Sequence, residues 1–262
     1  MLKEHGLFGT TDKVKDSIKL LQKHEPEEGY YLAFSGGKDS VVIKHLALLA
    51  GVRFSAAYSN TTIDPPELVR YIRSDHPDVS FVNPIKPFVM MLKEKGFPQR
   101  QRRWCCEHYK EIGGDDMYVI TGIRAAESAR RAKRKQVEPD SLGRKKGFVH
   151  PIMHWSDDDV WEFISEYGLS YCSLYDEGWE RIGCLMCPFA KQSSRLYEAE
   201  RYPGYRKLFI WAFNELYKLR KSQGKTSVDR WPNGEAMFWW WLGRDYSTED
   251  SDQLYFFEKD DD

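Results

Sequence analysis

The run Ser35-Gly36-Gly37-Lys38-Asp39-Ser40 follows directly on the apolar stretch Tyr30-Tyr31-Leu32-Ala33-Phe34. Two adjacent glycines open backbone conformations closed to other residues and let a ligand approach the main chain, and the unpaired N–H groups at a helix start attract anions. Lys38 adds a mobile positive charge, and Ser35 and Ser40 add hydroxyl donors. The chemistry this predicts is binding of a nucleotide's phosphate chain. The alternative is an ordinary strand-to-helix connection that binds nothing. Neither Gly-x-x-x-x-Gly-Lys-Ser/Thr nor Gly-x-Gly-x-x-Gly occurs, so the two commonest phosphate loops are excluded.

The cysteines form a second set. Cys105-Cys106 is followed after 77 residues by Cys184-Leu185-Met186-Cys187, with Cys172 alone between them. Two pairs of thiols in a chain expected to be cytoplasmic point to a metal rather than to disulfides. A vicinal pair suits a single tetrahedral zinc less well than a cubane iron–sulfur cluster, in which each iron takes one thiolate. Cluster, zinc, and redox or buried thiols all stay open on spacing alone. Cys172, in Tyr171-Cys172-Ser173-Leu174, reads as a buried inert thiol unless its loop reaches the nucleotide.

The elements that must position these groups alternate. Periodicity predicts a leading amphipathic helix over 11–23, a strand over 30–34, a helix over 39–50, a strand over 52–58 and a helix opened by Asp64-Pro65-Pro66-Glu67. A strand near 79–82, a helix near 87–95 and a strand over 117–121 follow. The expected class is α/β, a mostly parallel twisted sheet with helices on both faces, plus a C-terminal cysteine-containing and helical region. Ligands of such sheets sit beyond the carboxyl ends of the strands, where the glycine turn, Asn60 and Gly122-Ile123-Arg124 all emerge. Ser156-Asp157-Asp158-Asp159 caps a helix running to Gly168. A long helical region over 193–222 and the aromatic run Met237-Phe238-Trp239-Trp240-Trp241-Leu242 close the pattern, the latter read as core or partner contact. The expected organisation is an N-terminal helix (1–28), a nucleotide-binding α/β domain (29–155) and a helical, cysteine-containing region (156–262).

Composition bounds the rest. A chain of 262 residues with 41% hydrophobic and 15% aromatic residues buries a full core. No apolar run approaches the roughly 18 to 20 residues of a membrane helix, and the first residues have no signal-peptide core, so no membrane partner and a cytoplasmic location are expected. The net charge of −1 hides an asymmetry, since residues 95–150 carry 14 Lys or Arg against 7 Asp or Glu, and the tail 245–262 carries 8 acids against one Lys. Basic runs at Arg100-Gln101-Arg102-Arg103, Arg130-Arg131-Ala132-Lys133-Arg134-Lys135 and Arg144-Lys145-Lys146 suit the phosphates of a nucleotide, DNA or RNA, or read as solvated loops.

The glycine run resembles the PP-loop of the ATP pyrophosphatase, or adenine nucleotide α-hydrolase-like, superfamily. Arg103-Trp104-Cys105-Cys106, Gly122-Ile123-Arg124-Ala125-Ala126-Glu127-Ser128 and Cys184-Leu185-Met186-Cys187-Pro188 resemble the phosphoadenosine phosphosulfate (PAPS) reductase-like family over roughly residues 28–190. That family includes adenylylsulfate (APS) reductases and DndC-type proteins of DNA phosphorothioation. The resemblance implies that Ser35, Gly36, Gly37, Lys38, Asp39 and Ser40 are phosphate-binding positions; from their place at or just past strand ends, Asn60, Gly122, Arg124 and Glu127 are expected to complete the nucleotide site, and Lys38, Asp39 and Arg124 are expected in catalytic roles. It implies that Cys105, Cys106, Cys184 and Cys187 hold a 4Fe-4S cluster, and that ATP or an adenylyl compound is handled at the α-phosphate with Mg2+ and pyrophosphate as leaving group. The C-terminal nucleophilic cysteine of sulfonucleotide reductases has no counterpart after Cys187. The function expected is therefore ATP-dependent sulfur transfer to DNA or tRNA, with a cysteine desulfurase or thioredoxin as sulfur-donor partner. Reduction of APS or PAPS with an external thiol is the alternative, and a non-catalytic nucleotide sensor docking through Trp239–Trp241 and the acidic tail is a third reading.

Overall fold

A computed structural model describes residues 2–6, 9–139 and 147–244. The basic run at 144–146 and the acidic tail at 245–262 lie outside the described residues. The chain starts with β1 (Lys3–Gly6), β2 (Gly9–Asp12), α1 (Lys13–Lys23), β3 (Tyr30–Ala33), α2 (Lys38–Ala50), β4 (Phe54–Ser59), α3 (Pro66–Asp75) and β5 (Ser80–Val82). It continues with α4 (Phe88–Lys95), α5 (Trp104–Tyr109), β6 (Val119–Ile120), β7 (Val137–Glu138), β8 (Phe148–Val149), α6 (Asp157–Glu166), α7 (Gln192–Arg201), α8 (Pro203–Ser222) and α9 (Gly234–Leu242). Two compact units divide the chain, one formed by Met1–Pro84 with Glu107–Gly183 and the other by Ile85–Cys106 with Cys184–Asp262.

The first unit carries a six-stranded sheet of order β5-β4-β3-β6-β8-β7. Its pairings are parallel except the last, where β7 runs antiparallel to β8. The expected mostly parallel α/β sheet with helices is thus present. Chain order reverses at β3: β4 and β5 lie to one side, β6 and β8 to the other, which makes the gap between β3 and β6 the topological switch point. Tyr30 and Leu32 of β3 are fully buried, and the Tyr30 hydroxyl donates to Leu21 O of α1 at 2.8 Å. Tyr31 alternates to the other face, against the turn at Gly113 and Gly114.

Helix α2 is the central helix of this unit. Val41, Val42, Ile43, Leu46, Ala47 and Ala50 are all buried, so it is apolar nearly all round, and α1 and α6 pack against it. It ends at Gly51, which takes the left-handed conformation with φ 66°. Helix α6 starts with a complete capping box, the Ser156 hydroxyl accepting from Asp159 N–H and the Asp159 carboxylate from Ser156 N–H.

The second unit is helical. Phe88, Phe209, Phe213, Phe238 and Trp241 form its aromatic centre, with ring centroids 5.4 to 6.3 Å apart across α8 and α9. Trp239 and Trp241 are buried, which makes the tryptophan run core; Trp240 is half exposed and packs on Arg230 and Trp231. The predicted helical stretch over 193–222 is two helices, broken at Tyr202-Pro203 because proline cannot continue a helix but suits its first turn. The hairpin β1–β2 and the two-residue strands β7 and β8 were not predicted. No helix among the described residues is long and apolar enough to cross a membrane.

Candidate functional site

The glycine turn leaves the carboxyl end of β3, with its neighbours β4 and β6 delivering Asn60 and Gly122 to the same end. Gly36 has φ 74°, and a Cβ there would lie 2.7 Å from both Leu68 and Ile72 of α3. Only glycine satisfies both conditions. Gly37 is the N-cap of α2 and has no side-chain cap. The serines instead lock the turn: Ser40 Oγ donates to Gly37 O at 2.7 Å and Ser35 Oγ to Ser40 Oγ at 3.3 Å. Gly122 is required by proximity, since a Cβ on it would stand 2.9 Å from Asp39 Cβ and 3.1 Å from the Asp39 carbonyl. The ends of β3 and β6 therefore close directly onto the first turn of α2.

Four charged groups meet there. Arg124, 2% exposed, donates from Nε to Asp39 Oδ1 at 2.7 Å, from Nη2 to Asp157 Oδ1 at 2.6 Å and from Nη1 to Trp155 O at 3.4 Å. Lys38, 6% exposed, donates from Nζ to Glu180 O at 3.3 Å and lies 3.3 Å from Asp157 Oδ1. Burial pushes the Asp39 carboxyl above its ordinary value, against the pull of Arg124 and Lys38. Burial also acts to raise Asp157, but Lys38 and Arg124 outweigh it and hold that carboxyl below the usual range. Glu127 accepts from Arg124 N–H at 2.9 Å and pairs with Arg131. Asn60 holds its own turn, accepting from Thr62 N–H and donating to Asn83, both at 2.9 Å.

The structure thus brings Ser35, Gly36, Gly37, Lys38, Asp39, Ser40, Gly122 and Arg124 together, joins Glu127 to them through the Arg124 backbone, and leaves Asn60 at the neighbouring strand end. It adds three residues that the sequence reading passed over: Asp157, Tyr175 and Glu180. Tyr175 Oη accepts from Lys38 N–H at 3.0 Å, and its ring stands edge-on to Trp161 of α6. Asp157 reads in sequence as one more acid of a helix cap; what singles it out from Asp158 is direction, which only the fold supplies.

Cys172 belongs to the same unit and is fully buried, its thiol pushed up by that burial. This fits an inert core thiol.

The other four cysteines are half-buried thiols of the second unit. Cys105 and Cys106 sit in the first turn of α5, whose start is fixed by Trp104 stacking on Phe88 at 5.4 Å and donating to Gly96 O. The Cys184–Cys187 turn depends on Met186, which takes φ 55° and whose N–H donates to the buried Glu198 carboxylate. Burial raises Glu198 to about 7, against that hydrogen bond. Arg100 donates to Pro188 O at 2.8 Å and Arg103 lies 4.9 Å over the Phe189 ring, so two arginines of the first basic run brace the segment after the second cysteine pair. The Cys105 thiol is pushed far up by hydrogen bonding with Cys106, by burial, and by the charges of Cys106, Cys184 and Cys187. Among the described residues no three His, Cys, Asp or Glu side chains close into a cage for a single metal ion. Thiols are the donor type that an iron–sulfur core takes, one thiolate per iron.

Comparison with known proteins gives a family. The pattern of the phosphoadenosine phosphosulfate reductase domain matches residues 29–190. Two uncharacterised proteins of Methanocaldococcus jannaschii are 34% identical over 60% of this chain and 31% identical over 72% of it. The chain spans only 35% and 50% of their lengths. An adenosine 5'-phosphosulfate reductase of Bacillus cereus is 24% identical, over 69% of this chain and 82% of that protein. Among solved structures, a PAPS reductase from Candida auris superposes with a TM-score of 0.49 at 16% identity, covering 64% of this chain and 88% of that one. The U34-tRNA thiolase NcsA from Methanococcus maripaludis, solved with its 4Fe-4S cluster, gives 0.47 at 12% identity over 88% and 84%.

Proposed function

From a chain that belongs to the phosphoadenosine phosphosulfate reductase domain family, we propose an ATP-dependent sulfur-transfer enzyme that adenylylates its acceptor and releases pyrophosphate. One pairing carries this reading: the glycine turn has the backbone of a phosphate loop, while Cys172, the cysteine of the same compact unit, is fully buried. A sulfonucleotide reductase needs an accessible thiol to attack sulfate sulfur, and the buried Cys172 does not serve as one. In the proposed reaction an acceptor oxygen attacks the α-phosphorus of ATP, the bond to the bridging oxygen breaks as pyrophosphate leaves, and sulfide-level sulfur from a donor then attacks the acceptor atom bearing the adenylyl oxygen and expels AMP. Lys38 and the amides of the turn stabilise the charge that grows on the leaving pyrophosphate. Arg124 fixes Asp39 through Oδ1, and the Asp39 carboxylate would hold a Mg2+ that offsets phosphate charge. Cys105, Cys106, Cys184 and Cys187 would hold a 4Fe-4S cluster, one thiolate to each iron, and such a cluster would brace the two loops that carry them.

A nucleic acid acceptor, DNA or tRNA, is favoured by the exposed Arg130, Lys133 and Lys135, which lie between the inward ion pairs Arg131–Glu127 and Arg134–Glu138. The second reading, reduction of APS or PAPS with thioredoxin as external thiol, is favoured by the kinship with adenosine 5'-phosphosulfate reductases. The nucleotide-sensor reading loses its proposed docking surface to the extent that Trp239 and Trp241 are core.

The test is anaerobic purification with iron and sulfide analysis, then assay with each substrate. Pyrophosphate release from ATP that requires tRNA or DNA is the expected result. Sulfite release from APS or PAPS with thioredoxin supports the second reading instead, and ATP binding with neither reaction supports the sensor.

A further inference from the structure

The donors around the glycine turn already hold protein oxygens. The N–H of Lys38, in the first turn of α2, donates to the Tyr175 hydroxyl at 3.0 Å. The ammonium of the same residue donates to Glu180 O at 3.3 Å and lies 3.3 Å from Asp157 Oδ1, an oxygen that also accepts from Arg124 Nη2 at 2.6 Å. Three oxygens of three residues, a phenol, a carbonyl and a carboxylate, thus converge on one lysine and its partner arginine. Their own situations differ from those of the cations. Lys38 and Arg124 are almost wholly buried, while the Asp157 side chain is 67% exposed, Tyr175 ends the short 3-10 turn Ser173–Tyr175 and Glu180 lies in the loop after it. Two buried cations require an anion. Asp39 supplies one from within α2 itself, and Asp157 supplies the other from the solvent side.

We propose that Tyr175 Oη, Asp157 Oδ1 and Glu180 O are placeholders that mark the oxyanion subsites of the ligand's phosphate chain, and that binding exchanges them for phosphate oxygens. This rests on the nucleotide reading of the glycine turn. The donors stand at opposite ends of the Lys38 residue, its amide and its ammonium, which favours a ligand with two linked phosphates over a single phosphate. Exchange replaces like with like: each placeholder is an oxygen acceptor, so no buried donor is left without a partner when the ligand arrives. The protein oxygens also set the ligand's threshold, because the apparent affinity is reduced by the fraction of molecules in which they have withdrawn.

The experiment is calorimetric titration of inorganic pyrophosphate, inorganic phosphate and ATP onto the whole protein and three variants, Asp157→Asn, Tyr175→Phe and Asp158→Asn, at one ionic strength. Asp158→Asn removes the same charge from the same exposed helix turn without touching Lys38 or Arg124. The expected result is pyrophosphate binding that tightens roughly tenfold in Asp157→Asn and in Tyr175→Phe, with Asp158→Asn within about twofold of wild type. Inorganic phosphate binds more weakly than pyrophosphate throughout. Thermal unfolding gives a second readout: without ligand Asp157→Asn melts below wild type, and saturating pyrophosphate closes the gap. Wild-type binding that is unchanged or weakened in both Asp157→Asn and Tyr175→Phe overturns the placeholder assignment while leaving the nucleotide reading standing. Absence of ATP and pyrophosphate binding in all four proteins overturns the nucleotide reading itself, and this inference with it.

Discussion

Gly36 shows what a single residue contributes to this site. Its left-handed φ of 74° alone disfavours any side chain, and the 2.7 Å approach of Leu68 and Ile72 leaves no volume for one. Gly36→Ala is therefore expected to lose about 2 kcal/mol or more of stability in urea unfolding. Gly51, with φ 66° but nothing within 4 Å of its Cβ position, is the control; Gly51→Ala should lose only about 1 kcal/mol. Equal losses at the two sites would contradict the packing argument. The strand-to-helix junction from Ser35 to Ser40 was legible in sequence because an apolar run precedes the two glycines and a helical pattern follows them. Asp157, Tyr175 and Glu180 were not, because an acid in a helix cap and a tyrosine in a loop carry no local mark of the residue they will meet 119 to 142 positions away.

At the scale of elements, the sheet's switch point is held by paired strand ends. Beside the close approach of Gly122 to Asp39, Thr121 Oγ1 at the end of β6 lies 2.7 Å from Nδ1 of His150 at the end of β8. Burial, reinforced by the Arg134 charge and opposed by Glu138, lowers His150 from its ordinary 6.5 to about 4. His76, between Lys44 and Tyr71, is lowered to about 4 in the same way, by burial and then by Lys44. Both imidazoles are neutral in the fold. Below 6.5 the unfolded chain takes up protons that the folded chain refuses, so their contribution is full above that pH and is lost as pH falls toward 4. Urea unfolding across this range should show a declining stability, with a shallower decline in His150→Gln; a slope unchanged by that substitution would remove His150 from the account. The βα alternation that builds the switch point was readable because apolar runs mark its strands, the two residues of β6 lying within the longer run Met117-Tyr118-Val119-Ile120-Thr121. Strands β7 and β8 were not, because two residues carry no period and their pairing is decided by the sheet they join.

On the scale of the whole molecule, the phosphate-type site and the thiols fall in different compact units, each assembled from two stretches of chain. Sequence spacing paired Cys105-Cys106 with Cys184-Leu185-Met186-Cys187 across 77 residues. What it left open was the long-range joining of 85–106 with 184–262, which aromatic packing among Phe88, Phe97, Phe209 and Phe213 supplies. If the four thiols serve one cluster, Cys105→Ala should lower bound iron and sulfide and bleach the visible absorption of anaerobically purified protein, whereas Cys172→Ala should leave all three unchanged. Iron content insensitive to Cys105 would separate the thiols from any cluster. The account as a whole depends on the glycine turn receiving the phosphates of an adenine nucleotide, and equilibrium titration of ATP onto the wild-type protein and a folded Lys38→Ala variant tests this most directly. Saturable binding to wild type, weakened at least about tenfold by loss of the charged donor, is the predicted result; no saturable binding, or equal binding by the two proteins, would contradict it.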